Sequence, residues 1–229
     1  KDDSVSEQIV SDIENNIPVL DGSLIYKNTL DDDSITYDYG SSVTEILDEY
    51  TEDEHLIRSG MVDGRTYPVK LGVDYRPLCN VYGVEHTILS KLNLVEGETD
   101  IQRLDSYLKS GNYIIEVSAI NPKESPEFLC PLNQEVSIYK NGIPYKTVSV
   151  IAHATVDFSL VESPGKNVGY TDVGGDCPIF YMSNKMFQEL YNDPAIMSYV
   201  FDVEKEHFLS GDEYLNSLNS VEYTSSEIL

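Results

Sequence analysis

Asn141-Gly142 lies between two β-rich runs, residues 135–140 and 143–155, and constrains the fold of this chain more than any other pair of residues. Asparagine followed by glycine accepts positive φ at both central positions of a type I′ turn, whose twist matches that of the strands it joins, so the pair specifies a hairpin. Pairing across it puts Val136, Ile138, Ile143 and Tyr145 on one face, whereas Val148 and Val150 have the opposite parity. A bulge near Lys146-Thr147, or a strand that leaves one sheet for another, reconciles the two sets. A lone hairpin is marginally stable, so other elements must cover it.

The surrounding patterns supply those elements. Val5, Ile9, Ile13 and Ile17 recur every four residues and predict a helix over 4–16, with Ser4 and Glu7 in capping-box spacing and Pro18 as the stop. Residues 19–26 read as a strand, preceded or interrupted by a turn at Asp21-Gly22. A one-sided helix follows Ser42, with Val43, Ile46, Leu47 and Tyr50 inward and acids outward. Residues 61–73 return as β-structure, with Pro68 at an edge or bulge. Leu89, Leu92 and Leu94 precede a turn at Glu96-Gly97; Ile101, Leu104 and Leu108 then mark a short helix ending at Gly111. Residues 113–117, YIIEV, read as a strand buried on both faces. The final third predicts two strand-helix units: strand 178–182 with a helix capped by Ser183, then strand 198–206 with a helix capped by Ser210. Helical and hairpin-rich parts are segregated, which predicts an α+β chain in two subdomains, the β-rich one inserted into the other.

Forty acidic residues against fifteen basic ones leave a net charge of −25. A field of that sign repels phosphate backbones and anionic head groups, so nucleic acid is not an expected partner. Cys79, Cys130 and Cys177 are odd in number and widely spaced; they form neither a disulfide framework nor a zinc site, and buried thiols are expected. No run reaches the roughly 18 to 20 apolar residues of a membrane-spanning helix. With no initial Met and an end inside a helical pattern at Ile228-Leu229, the chain reads as a soluble piece of something longer.

The segments YGVEHTILSKLNLVEGE (82–98), LKSGNYIIEVS (108–118), LNQEVSIYKNGIPYKTVSVIAHA (132–154) and PIFYMSNKMFQEL (178–190), in that order, resemble the extracytoplasmic core domain of FtsX-like ABC transporter permeases, the MacB-like periplasmic core. The chain departs from the family pattern where residues 132–135 replace a Gly-Asp turn and where Ala152-His153 stands in for a glycine. The resemblance implies a domain between two transmembrane helices at the cell membrane. It implies a porter-like β-α-β subdomain built from both chain ends (1–80 and 178–229), with a β-rich subdomain (81–177) inserted. It further implies a non-catalytic role: coupling ATP hydrolysis by a cytoplasmic ABC ATPase subunit to export or to an extracellular protein partner, with permeases paired as homodimers or heterodimers.

No GxSxG, HExxH or Cys-His signature is present, and no cofactor is expected. His153, at the end of an apolar strand, reads as a core-edge residue with a satisfied hydrogen bond. Asp31, Asp32, Asp33 and Asp38 could gather around Ca²⁺ but lack the glycine and distal glutamate of an EF-hand loop. Tyr139, Tyr145, Phe158 and Tyr170 are the aromatic candidates for a partner surface, since interfaces are rich in such residues. The alternative is a secreted acidic carbohydrate-binding or hydrolase domain, which would need a cleft with two convergent carboxylates.

Overall fold

The structure is a computed structural model and describes residues 3–27, 35–38, 61–62, 65–66, 80–119, 126, 128–156, 178–191, 195–208 and 213. The expected helices after Ser42 and Ser210 lie outside the described residues. Helix α1 (Asp3–Asn16) leads into β1 (Val19–Lys27); β2 (Ile35–Asp38), β3 (Met61–Val62) and β4 (Arg65–Thr66) follow. Then come β5 (Asn80–Val84), the single turn α2 (His86–Leu89), β6 (Asn93–Gly97), α3 (Ile101–Lys109) and β7 (Tyr113–Ala119). The hairpin strands are β8 (Glu135–Lys140) and β9 (Ile143–Val156), and the chain continues through β10 (Ile179–Ser183), α4 (Asn184–Leu190) and β11 (Ala195–Val203).

Nine of these strands form one mixed sheet in the order β11-β1-β5-β10-β7-β9-β8-β2, with β6 also paired to β9; β3 and β4 pair separately. The pairs β10–β5 and β7–β9 are parallel and the others antiparallel. This is an α+β arrangement, few helices on a large mixed sheet. The central strands are covered on both sides, so neighbouring residues serve opposite layers. Val81, Ile114 and Phe180 face Met186, Phe187 and Leu190 of α4. Tyr82, Ile115 and Tyr181 face Ile88 and Leu89 of α2 and Leu104 and Leu108 of α3. That is why YIIEV is so dense in apolar residues.

Local chemistry explains the helix ends. The Asp100 carboxylate accepts from the Arg103 N–H at 2.9 Å, and the Ser183 hydroxyl accepts from the Met186 N–H at 3.3 Å, so each satisfies a donor the first helical turn leaves free. Ile13 of α1 and Ile17 just after it bury against Phe201 and Val203 of β11, with Ile9 and Tyr199 beside them. Each isoleucine removed from water contributes roughly 1.5–3 kcal/mol.

The hairpin turns as expected, with φ of 54° at Asn141 and 72° at Gly142. Its face does not: Val136 and Ile138 are buried, but Ile143 is 68% and Tyr145 46% exposed. The register shifts between Ile138↔Lys146 and Tyr139↔Pro144, leaving Tyr145 as the extra residue of a bulge. One inserted residue reverses the parity, so Val148 and Val150 turn inward with Val136 and Ile138; the bulge falls at Tyr145, next to the Lys146-Thr147 expected for it. Strand β9 stays in the same sheet throughout: β7 holds one edge from Ser149 onward, and on the other β6 pairs its last turns where β8 has left.

Two further expectations change. Asp21-Gly22 is not a turn; both residues pair within β1, opposite Asp202 and Phe201, after a bulge that leaves Leu20 66% exposed. A Cβ on Gly22 would collide with the Tyr199 phenol, so glycine is there to admit a cross-strand ring. Residues 204–206 do not prolong β11. The chain turns into a 3₁₀ turn over Lys205–His207, closed by the His207 N–H on the Glu204 carbonyl at 2.8 Å.

Candidate functional site

The places where the chain enters and leaves the sheet adjoin. Val19 pairs with Val203, and the Glu204 N–H donates to the Pro18 carbonyl at 3.1 Å. Strand β1, which follows α1, and β11 therefore run antiparallel as neighbours at one side of the molecule. A shallow surface pocket lined by Leu20, Glu204, Lys205 and Glu206 opens at this junction. Glu204, Glu206 and His207 bring one donor atom each within 4.8 Å there. Three donors on one solvent-washed turn of so acidic a chain do not by themselves make a metal centre. Among the described residues, no helix is long and apolar enough to cross a membrane.

At the other end of the described sheet, the tip of the β8–β9 hairpin presents Ile143 and Tyr145 to solvent, between Lys140 and Lys146. Tyr139 is half-buried opposite Pro144. Phe158 and Tyr170 lie outside the described residues. Of the four candidate calcium ligands only Asp38 is described: it is exposed at the end of β2, opposite Ser137, and Asp31, Asp32 and Asp33 lie outside. Cys130 is fully buried in the core beside α4, while Cys79 and Cys177 lie outside.

The sheet interior brings together a group no motif announced. Glu116 of β7 is 2% exposed and pairs in register with His153 of β9, 4% exposed, which in turn pairs with Glu96 of β6. Residues 128–130 lie over them. The Glu116 carboxylate accepts from the Leu129 N–H at 2.7 Å and the Cys130 N–H at 2.9 Å. His153 Nε2 donates to the Cys130 carbonyl at 2.7 Å and stands 3.7 Å from Glu116 Oε2; Nδ1 is 3.2 Å from Glu96 Oε2. Phe128 stacks flat on the imidazole, with centroids 4.3 Å apart and planes 5° apart.

Burial pushes the Glu116 carboxyl up to about 7; the two backbone N–H groups and His153 pull the other way and do not prevail. The expected hydrogen bonding of His153 is present, and its partners are the Cys130 carbonyl and the exposed Glu96 carboxylate. Glu116 was legible only as an anomaly: a charge in a strand otherwise apolar on both faces requires a partner. That partner lies on a strand remote in sequence, beyond any local pattern. Of the two carboxylates on either side of His153, Glu116 lies buried under residues 128–130 and Glu96 is exposed.

No family model matches the chain, and no curated protein matches it. Among solved structures it is similar to the extracellular domain of the noncanonic ABC-type transporter YknZ from Gram-positive bacteria, at 13% identity over 94% of this chain and 84% of that one, with a TM-score of 0.44. It is also similar to the periplasmic region of MacB from Actinobacillus actinomycetemcomitans, at 13% identity over 92% of this chain and 89% of that one, with a TM-score of 0.34. Likeness at this distance concerns the arrangement of the chain and says nothing of an activity.

Proposed function

We propose that the chain is the extracytoplasmic domain of an ABC transporter permease, anchored in the cell membrane by a transmembrane helix on either side. The observation that carries this reading is the junction of Pro18 with Glu204, where the paths into β1 and out of β11 meet. A domain held between two spans of one bilayer needs its two connections on the same side. The ordered motifs from Tyr82 to Leu190 support the same reading.

In this reading, residues 1–80 and 178–229 form the membrane-proximal half, which contributes β1, β10 and β11, while its strand β2 pairs with β8 of the hairpin. Residues 81–177 form the distal half around the hairpin. The domain is non-catalytic. It passes conformational change between a cytoplasmic ATPase subunit and an exported substrate or extracellular partner, with a second permease at its side. Tyr139, Tyr145, Phe158 and Tyr170 are the proposed partner surface, with Tyr145 at the exposed bulge the first to test.

Substituted-cysteine labelling in intact cells tests the assignment on the full-length gene product. Ile143→Cys is expected to react with a membrane-impermeant maleimide before lysis while the protein sediments with membranes. Labelling that appears only after lysis, or a protein that stays in the soluble fraction, overturns it.

A further inference from the structure

Residues 128–130 connect the centre of the sheet to the hairpin, and they are held down mainly by groups that can change charge. Two main-chain N–H groups end on Glu116 and one carbonyl on His153 Nε2. Both ring nitrogens of His153 face oxygen acceptors: Nε2 faces the Cys130 carbonyl and the Glu116 carboxylate, and Nδ1 faces the Glu96 carboxylate.

We propose that residues 128–130 form a proton-controlled strap, closed over the sheet while Glu116 holds its proton and released as Glu116 ionises. Around Glu116, β9 contributes His153, β6 contributes Glu96 through His153, and the strap contributes the Leu129 and Cys130 N–H groups. β10 places uncharged Phe180 opposite. Opening hydrates Glu116, so the open form binds fewer protons than the closed one. Linkage then weakens closure as pH rises. The rise of Glu116 toward 7 on burial has the same sign. Release would lift residues 128–130 away from Glu116 while leaving the β7–β9 ladder intact.

Amide hydrogen exchange on the 229-residue chain, corrected for intrinsic rates, reads the strap directly. The Leu129 and Cys130 amides are expected to lose at least about tenfold in protection between about pH 5 and about pH 8, while Ile115 and Val117 in β7 stay level. Glu116→Gln, which keeps an acceptor but no titration, is expected to flatten most of that slope. Equal pH dependence at all four amides of the unmodified protein overturns the proposal, as does a variant that retains the full slope. The comparison within the unmodified protein decides the matter even where the variant does not fold.

Discussion

At the scale of single residues, Glu116 is an acid held where ionisation is unfavourable. Its carboxyl titrates near 7 when folded, against 4.5 for the free side chain. The sign follows from that order: the folded state binds the proton more tightly, so the contribution is fully present below about 4.5 and is lost as pH rises through about 7. The full difference is worth roughly 3 kcal/mol. Denaturant midpoints of the parent and of Glu116→Gln are expected to converge at about pH 5 and separate above about pH 7, the variant becoming the more stable relative to the parent. Taking the difference cancels the other carboxylates, and parallel curves would show that Glu116 does not titrate in this range. Gly22 makes the opposite kind of demand, for space. Gly22→Ala sets a methyl against the Tyr199 phenol, whose hydroxyl donates to Glu14 of α1 at 2.8 Å. A loss of about 1–3 kcal/mol is expected by thermal or chemical denaturation, with the contact between α1 and β11 disturbed first.

Elements obey local rules here wherever a cap or turn is involved, and β9 shows where those rules end. Ser183 closes β10 and opens α4 with one side chain, so Ser183→Ala should cost about 1 kcal/mol in unfolding free energy. The loss should appear in exchange protection at the first turn of α4, and an unchanged Met186 amide would argue against the cap. α4 carries Met186, Phe187 and Leu190 into the core, and the Tyr191 hydroxyl after it lies 3.0 Å from that of Tyr37 in β2. An element near the end of the chain thereby meets one near its start. β9 is long because it serves three neighbours in succession. The bulge at Tyr145 makes this possible by turning the later valines inward after the tip has faced solvent.

For the whole molecule, charge and topology set the behaviour. A net charge of −25 makes the compact state repel itself. Added sodium chloride, up to about 0.15 M, where the screening length is about 8 Å, is expected to raise the thermal midpoint of the isolated chain by screening that repulsion. A midpoint that is flat or falling over this range would mean that the specific ion pairs, such as Lys91–Asp202 at 2.9 Å, outweigh the general field. The adjoining connections at Pro18 and Glu204 are the whole-molecule feature on which the transporter reading rests. The −25 charge would face the exterior of the membrane in that reading.

What could be read without the fold was what neighbouring residues decide among themselves. Asn141-Gly142 made the turn because both residues tolerate positive φ, α1 followed its four-residue stripe to Pro18, and Ser183 capped α4, all from interactions within a few residues. The α+β class followed from the order of those elements. Tertiary structure alone decided which strands adjoin, because pairing depends on chain segments far apart. It turned Asp21-Gly22 from a turn into a seat for Tyr199, left Ile143 exposed at the hairpin tip and Tyr145 exposed at a bulge, and ended β11 at Val203. It also set Glu116 and His153 against each other beneath residues 128–130. A buried charge is tolerated only where distant groups supply its partners, and no local pattern records which groups those are.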